Sequence, residues 1–446
     1  MAVELRSDPP PSNQLQPLLH GELAREARAA LRAIVRDVSA IVAPDRPRPS
    51  IHLLADYALL LANAGSALGT SEPVVLADEI LDEIAERFPE SAGRPELFGG
   101  YPGVAMTVGQ VERLLGATEH NSPADDSCSA IDEALLQFVM SRASFEHYDL
   151  ISGLCGYGTY FLSRSSRRVA RRGVEQVIDR LAAHCEETRH GITWITPADS
   201  LPPWQRKEAP DGHYNLGVAH GVPGLIPMLA LAVAAGPGGS EAKRLLEGAV
   251  AWTLSQRQDL EAVGALFPGW TLPEKEPSFS RLAWCYGDAG VGAALLNASQ
   301  IVGREDWQHQ ALDILRLGTR RAGDAAGVKD PSLCHGAAGL GHIFNLAFQV
   351  SAESVFASSA IYWFRKTLEM RRPAFGVGGF WYYEPMRPSA TGSWVPVEDP
   401  VIKKSNFLEG SVGVGLALAT ALNGECSRWD HRLLLSQGIR CGGNLA

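Results

Sequence analysis

Six copies of Gly-x-x-Gly, roughly 50 to 75 residues apart, limit what this chain can fold into more than any other feature. They are Gly100-Tyr-Pro-Gly103, Gly153-Leu-Cys-Gly156, Gly221-Val-Pro-Gly224, Gly287-Asp-Ala-Gly290, Gly336-Ala-Ala-Gly339 and Gly410-Ser-Val-Gly413. An apolar run follows each, and four copies continue to a third glycine two positions on, at Gly158, Gly292, Gly341 and Gly415. Repetition of this kind has to be settled before any other question of fold. Between copies, apolar residues recur at helical spacing, as in Leu245/Leu246, Ala249/Val250 and Trp252/Thr253, and again in Trp307, Ala311, Ile314 and Leu315. The pattern predicts one inner apolar helix after each glycine turn and one amphipathic outer helix before the next. A helix pair cannot bury its apolar face alone, whereas a closed ring of pairs can. With a degenerate first pair near residues 50–70, where Gly65-Ser-Ala-Leu-Gly69 departs from the pattern, the ring has about seven pairs. No strand–helix alternation surrounds these glycines, so they are not the Gly-x-Gly-x-x-Gly of a dinucleotide fold.

The remaining segments fit that frame. Residues from about 20 to 65 read as helical, with Leu23, Ala27, Leu31 and Ile34 in register. Residues 73–88 form an amphipathic helix with Leu76, Ile80, Ile84 and Phe88 on one face. Ile192-Thr-Trp-Ile-Thr, Leu266-Phe-Pro-Gly-Trp-Thr and Gly379-Phe-Trp-Tyr-Tyr-Glu read as short strands or loops, placed where a ring would open to substrate. Residues 1–19 are expected to be a disordered lead-in, and residues 20–446 a single domain. The longest uncharged stretch, His213 to Ser240, is broken by Pro223, Pro227 and Pro237, and its apolar part is too short to span a bilayer. No stable membrane insertion is expected.

Forty basic against fifty acidic residues give a formal net charge of −10, which argues against broad nucleic-acid binding. The seven cysteines are odd in number and irregular in spacing, which favours metal or thiol chemistry in a reducing, cytoplasmic setting over a disulfide framework. Two of them stand directly before glycine turns, in Trp284-Cys285-Tyr286-Gly287 and Leu333-Cys334-His335-Gly336. Two thiolates and one imidazole with a fourth position open is how a catalytic zinc is usually held. Cys285, Cys334 and His335 are therefore the expected Zn2+ ligands. Cys128, Cys155, Cys185, Cys426 and Cys441 read as ordinary cysteines.

Trp284-Cys-Tyr-Gly, Cys334-His-Gly, Ala219-His-Gly and Asn406-Phe-Leu-Glu-Gly, each heading a glycine turn, resemble the lanthionine synthetase C-like cyclases. The resemblance covers nearly all of the chain from about residue 50. It implies an all-α fold, an α/α toroid of seven helix pairs with short β and loop insertions and zinc at its centre. It implies an enzyme, a zinc-dependent lanthipeptide cyclase. Such an enzyme adds peptide Cys thiols to dehydroalanine or dehydrobutyrine and so closes lanthionine and methyllanthionine rings in a ribosomally made precursor. The same resemblance gives Cys285, Cys334 and His335 as zinc ligands. It gives His220 and Asp149 as catalytic candidates, and puts Arg281 and Tyr286 at further active-site positions.

The chemistry is consistent with these residue types. A thiol is mostly protonated at neutral pH, and the thiolate is the nucleophile. Two anionic ligands leave a bound sulfur electron-rich. Addition to the dehydro residue develops an enolate, which needs stabilisation and a proton at the α-carbon; imidazole is suited to that transfer near pH 7. His220 precedes the same type of turn as the ligands, so it should also face the centre. Asp149 could orient His220 or Arg281, or take the proton from the incoming thiol, and Arg281 could offset the enolate charge or hold Asp149. The expected partners are a dehydrated precursor peptide with its leader and, transiently, a separate dehydratase. Addition of glutathione or another free thiol to dehydro residues in proteins is the alternative within this fold. A zinc prenyltransferase-type ring and a zinc-stabilised binding scaffold are the alternatives outside it. His184, His213 and His342 fall outside the register and are expected to be structural. The Arg164, Arg167, Arg168, Arg171, Arg172 run is expected to be a solvated face, or else a docking patch for an acidic leader.

Overall fold

A computed structural model describes residues 15–88, 93–116, 128–141, 147–380, 383–385, 394–396, 405–425 and 428–439. Numbered along the chain, its helices are α1 (Gly21–Ile41), α2 (Ile51–Leu68), α3 (Glu72–Arg87), α4 (Tyr101–Leu114), α5 (Ser129–Ser141), α6 (Leu154–Leu162), α7 (Arg168–Ala183) and α8 (Pro203–Glu208). They continue with α9 (Val222–Ala235), α10 (Gly239–Ser255), α11 (Leu260–Val263), α12 (Asp288–Val302), α13 (Glu305–Gly318), α14 (Ala337–Ser351), α15 (Ser354–Glu369) and α16 (Ser411–Asn423). Seven of them, α2, α4, α6, α9, α12, α14 and α16, form an inner ring in which each packs on the next and α16 returns to α2. Six outer partners follow their inner helices in sequence: α3, α5, α7, α10, α13 and α15. The seventh does not, because α16 is backed by α1 from the other end of the chain. The architecture is the expected α/α toroid.

The glycine repeat has a steric cause. The first glycine of every copy is the residue immediately before an inner helix. A Cβ on the second glycine would lie 1.9 to 2.5 Å from the carbonyl oxygen of the residue six before it, in all six copies: Leu97, Leu150, Val218, Trp284, Leu333 and Phe407. The loop entering each inner helix thus lies flat on its first turn. Glycine inside a helix costs about 1 kcal/mol relative to alanine, and an overlap with backbone oxygen costs more, so sterics decide these positions. The third glycines admit large neighbours; Cβ atoms there would meet Leu315 of α13 at Gly292 and the Phe364 ring of α15 at Gly341.

Gly65-Ser-Ala-Leu-Gly69 is not a first glycine turn. It is the end of the first inner helix: Gly69 closes α2 in the left-handed conformation (φ 69°), and Gly65 lets Val74 of α3 approach. The turn ahead of α2 uses Ser50, whose hydroxyl accepts from Leu53 N–H. By length and composition α2 could cross a membrane, but most of it is buried inside the ring, as a core helix would be.

The lead-in is ordered from Leu15, four residues earlier than its expected end. Leu15, Leu18 and Leu19 are buried, and their backbone N–H groups donate to Gly424 and Ala421 at the end of α16. Three leucines within five residues are apolar enough to dock where an outer helix begins. Residues 1–14 lie outside the described residues, as do Cys426 and Cys441.

The insertions form β1 (Glu186–Thr188) with β2 (Gly191–Thr193), an antiparallel sheet of β3 (Ile195–Thr196), β4 (His213–Asn215) and β5 (Trp270–Thr271) in that order, and β6 (Tyr383–Pro385) with β7 (Trp394–Pro396). Phe380 is buried, whereas Trp381 and Tyr382 lie outside the described residues. Of the arginine run, Arg164 is not available for docking. Its guanidinium clasps buried Asp132 at 2.6 and 2.9 Å, because a buried carboxylate needs a partner. Arg168, Arg171 and Arg172 are exposed on α7.

Residues 428–439 were not anticipated as a structural unit. They sit inside the ring and bond to five inner helices. Gln110 of α4 donates to Arg428 O, Trp429 to Thr420 of α16, Arg432 to Asp56 of α2, and Asn297 of α12 to Leu434 O. Asp430 pairs with His342 of α14 at 2.7 Å. His342 is thus structural, as expected. His213 is buried and stacks on Trp270.

Candidate metal centre and catalytic site

The loops that enter the inner helices bond to one another around one end of the ring. Phe98 N–H donates to Ile151 O, Leu150 to Ala219 O, Cys285 to Cys334 O and Cys334 to Leu408 O, at 2.8 to 3.3 Å. Phe407 N–H donates to Asp56 of α2 at 3.0 Å. Between the loops before α9 and α12 the join is steric: a Cβ on Gly217 would lie 2.5 Å from Cys285 O and 2.7 Å from the Tyr286 ring. All seven inner helices therefore begin at this end, where their dipoles favour negative charge.

Each candidate residue sits on this girdle. The ligating atoms of Cys285, Cys334 and His335 all lie within 4.8 Å of one another, and all three residues are buried. His335 is held between Asp330, 3.0 Å from its Nε2, and the Cys285 thiol. Burial opposes charge on this ring, but Asp330 and Cys285 outweigh it and push it up to about 10. Hydrogen bonding from Cys334 holds Cys285 well below the usual thiol range against its burial, with further help from His335 and Arg281; Cys334 is raised in turn. The cluster without a metal thus gathers a proton on His335 and negative charge on Cys285. A dication fits such a donor set by displacing the proton. The carboxylate behind the imidazole is the usual support of a ligating histidine.

His220 Nδ1 lies 2.6 Å from Asp149 Oδ2, and Asp149 Oδ1 accepts from Ser152 N–H at 2.8 Å. Burial would raise Asp149, but His220 and the Ser152 N–H hold it below the usual carboxylate range. Burial would lower His220, but the Asp149 hydrogen bond and charge, with the Cys285 charge, raise it. With Nδ1 facing Asp149, Nε2 is left for the cavity, and the side chain is 46% exposed. That cavity, of about 870 Å³, is lined by His220, Asp149, Arg281 and Tyr286 together with Thr196 of β3 and Trp270 of β5. Of the three insertions expected at the opening, the first two thus reach the site. Burial pushes Tyr286 up to about 12, so its hydroxyl stays protonated at neutral pH.

Two site residues were missed in the sequence: Asp330, behind His335, and Asn215, whose amide donates to Tyr286 Oη at 3.2 Å. A signal for both is present. Asn215, Arg281 and Asp330 each stand nine residues before the second glycine of their copy, while His220, Tyr286 and His335 stand four before it. Both registers supply the site: Asn215, His220, Arg281 and Tyr286 line its cavity, and Asp330 stands behind His335.

The sequence profile of the family described as lanthionine synthetase C-like protein matches residues 54–377. The nisin biosynthesis protein NisC of Lactococcus lactis subsp. lactis is 24% identical over 225 residues, which are 48% of this chain and 53% of that protein. The chain thus spans about half the length of the curated relative it matches. Among solved structures, nisin cyclase superposes with a TM-score of 0.69 at 18% identity, over 92% of this chain and 99% of that one. This last likeness bears on the fold.

Proposed function

The chain belongs to the lanthionine synthetase C-like family, and on that premise we propose that it is a thioether-forming cyclase, adding Cys thiols of a dehydrated peptide to dehydroalanine or dehydrobutyrine of the same peptide. The observation that carries this reading is a buried Cys-Cys-His cluster beside a cavity that also holds a His–Asp pair. With zinc held by Cys285, Cys334 and His335, the ionised form of a substrate thiol is favoured at the remaining position.

The chain's own residues carry the other parts of the reaction. As sulfur bonds to the β-carbon, the double-bond electrons move onto the carbonyl as an enolate. Arg281 offsets that charge, and the inner-helix dipoles add to it. Protonated His220, held by Asp149, delivers a proton from Nε2 to the α-carbon. The thiol proton balances the one delivered, so the product is an isomer of the substrate. A cavity of about 870 Å³ accommodates a segment of a few residues. Because the substrate must already carry dehydro residues, a dehydrating enzyme has to act first.

The test uses the zinc-loaded protein and a peptide containing one dehydroalanine and one Cys. Ring closure leaves mass unchanged and removes one equivalent of thiol alkylation. Undiminished alkylation after long incubation would end the proposal. A Cys-free dehydroalanine peptide that gains the mass of glutathione would redirect it to free thiols.

The pH profile supplies a further prediction. His220 is raised above the ordinary imidazole value, so its acid form persists at neutral pH. Turnover should fall only as pH climbs through that raised value. In Asp149→Asn the carboxylate no longer opposes burial, and the alkaline limb should move to lower pH. An alkaline limb that stays in place would dissociate it from His220.

A further inference from the structure

We propose that Asn215 is a positioning residue that keeps the Tyr286 hydroxyl proton pointed at substrate, so that Tyr286 donates a hydrogen bond to the enolate oxygen. The inference rests on the cyclase reading and deepens it by assigning the donor. The orientation of the Asn215 amide is fixed by a backbone group: Gly217 N–H donates to Asn215 Oδ1 at 2.9 Å. A backbone N–H can only donate, so this end of the amide is the oxygen. The other end is then NH2, 3.2 Å from Tyr286 Oη. An amide NH2 has no acceptor capacity, so the phenol oxygen must accept there. The phenol hydrogen is thereby sent elsewhere.

Tyr286 lines the same cavity as His220 and Arg281, and among the described residues nothing else accepts that hydrogen. The direction left to it is the cavity. Asn215 itself is 4% exposed and has little freedom to turn. Its nitrogen also lies 3.5 Å from His213 Nε2, at the limit of a hydrogen bond. Burial lowers His213 to about 4, so the ring is neutral and can accept. In the reaction no proton leaves Tyr286. Its O–H bonds to the carbonyl oxygen as charge develops, while His220 protonates the α-carbon.

Asn215→Asp decides the matter. The size is unchanged and Gly217 N–H keeps its acceptor, but the group facing Tyr286 becomes an oxygen that accepts a hydrogen bond from the phenol O–H and so turns it away from substrate. Cyclisation kinetics are compared for the wild-type protein, Asn215→Asp, Tyr286→Phe and the double variant, each loaded with zinc and checked for metal content and melting temperature. Loss of one such donor costs about 10²- to 10³-fold in kcat. Each single variant is therefore expected to lose that factor with KM nearly unchanged, and the double variant to be no slower than Tyr286→Phe. If Asn215→Asp slows the Tyr286→Phe enzyme as much as it slows the wild type, Asn215 is merely structural and the inference falls. Should Asn215→Asp fail to fold, Tyr286→Phe decides alone: wild-type kcat overturns the inference, and the expected loss upholds the donor role. Inactive wild-type protein sinks the cyclase reading along with this one, whereas active protein with independent losses sinks this one only.

Discussion

Cys285→Ala protein, purified without chelator, will contain almost no zinc and will lose ring closure by at least about 10³-fold, with its helical circular dichroism largely kept. The size follows from two contributions. A thiol of pKa about 8.5 is roughly 3% ionised at pH 7, so loss of ionisation alone is worth about 30-fold. The rest is loss of placement, since a sulfur held at contact distance from its acceptor gains orders of magnitude over a free one. The fold should survive because the loops at the site are also tied by backbone bonds, Cys285 N–H to Cys334 O and Cys334 N–H to Leu408 O among them, which the side chain does not make. Elemental analysis, circular dichroism and the alkylation assay read the three parts separately. Full activity without metal would refute the assignment. Collapse of the helices would instead favour a zinc-stabilised scaffold.

His220→Ala should behave in the opposite way towards metal. It will keep stoichiometric zinc, because His220 is outside the Cys-Cys-His cluster, and will lose about 10²- to 10⁴-fold in cyclisation, the usual worth of a positioned proton donor. Its alkaline limb should disappear, because no imidazole remains to deprotonate. Undiminished cyclisation would remove His220 from the mechanism and leave Asp149 without the partner it holds at 2.6 Å.

The inner ring was legible because one local clash, a carbonyl against the second glycine, writes itself into the chain six times. The centre-facing residues were legible for the same reason, standing at fixed distances from those glycines. Asp330 and Asn215 were not recognised, although they share the register of Arg281, because an aspartate before Pro-Ser and an asparagine before Leu-Gly read as turn formers. Both in fact make that turn, bonding to the N–H two residues on, and use the second side-chain atom on the site. The first inner helix lies where it was expected, near residues 50–70, but its entry turn was not legible, because Ser50 caps it and Gly65 and Gly69 stand at its end. The arginine run hid a buried pair, since nothing in the sequence near Arg164 announces Asp132. The segment 428–439 has no periodicity to announce it. Its role comes from five helices, four of them distant in sequence, and pattern reading is blind to partners of that kind.

The pairing of α1 with α16 sets a timetable. During synthesis α1 emerges long before α16, and its apolar face must wait until that last inner helix has left the ribosome. Contacts between such remote segments slow folding and keep greasy surface uncovered meanwhile. The plug at 428–439 arrives later still. The ring is thus closed last, and a truncated product of translation would have neither the α1–α16 clasp nor the segment 428–439 around whatever helices it had made.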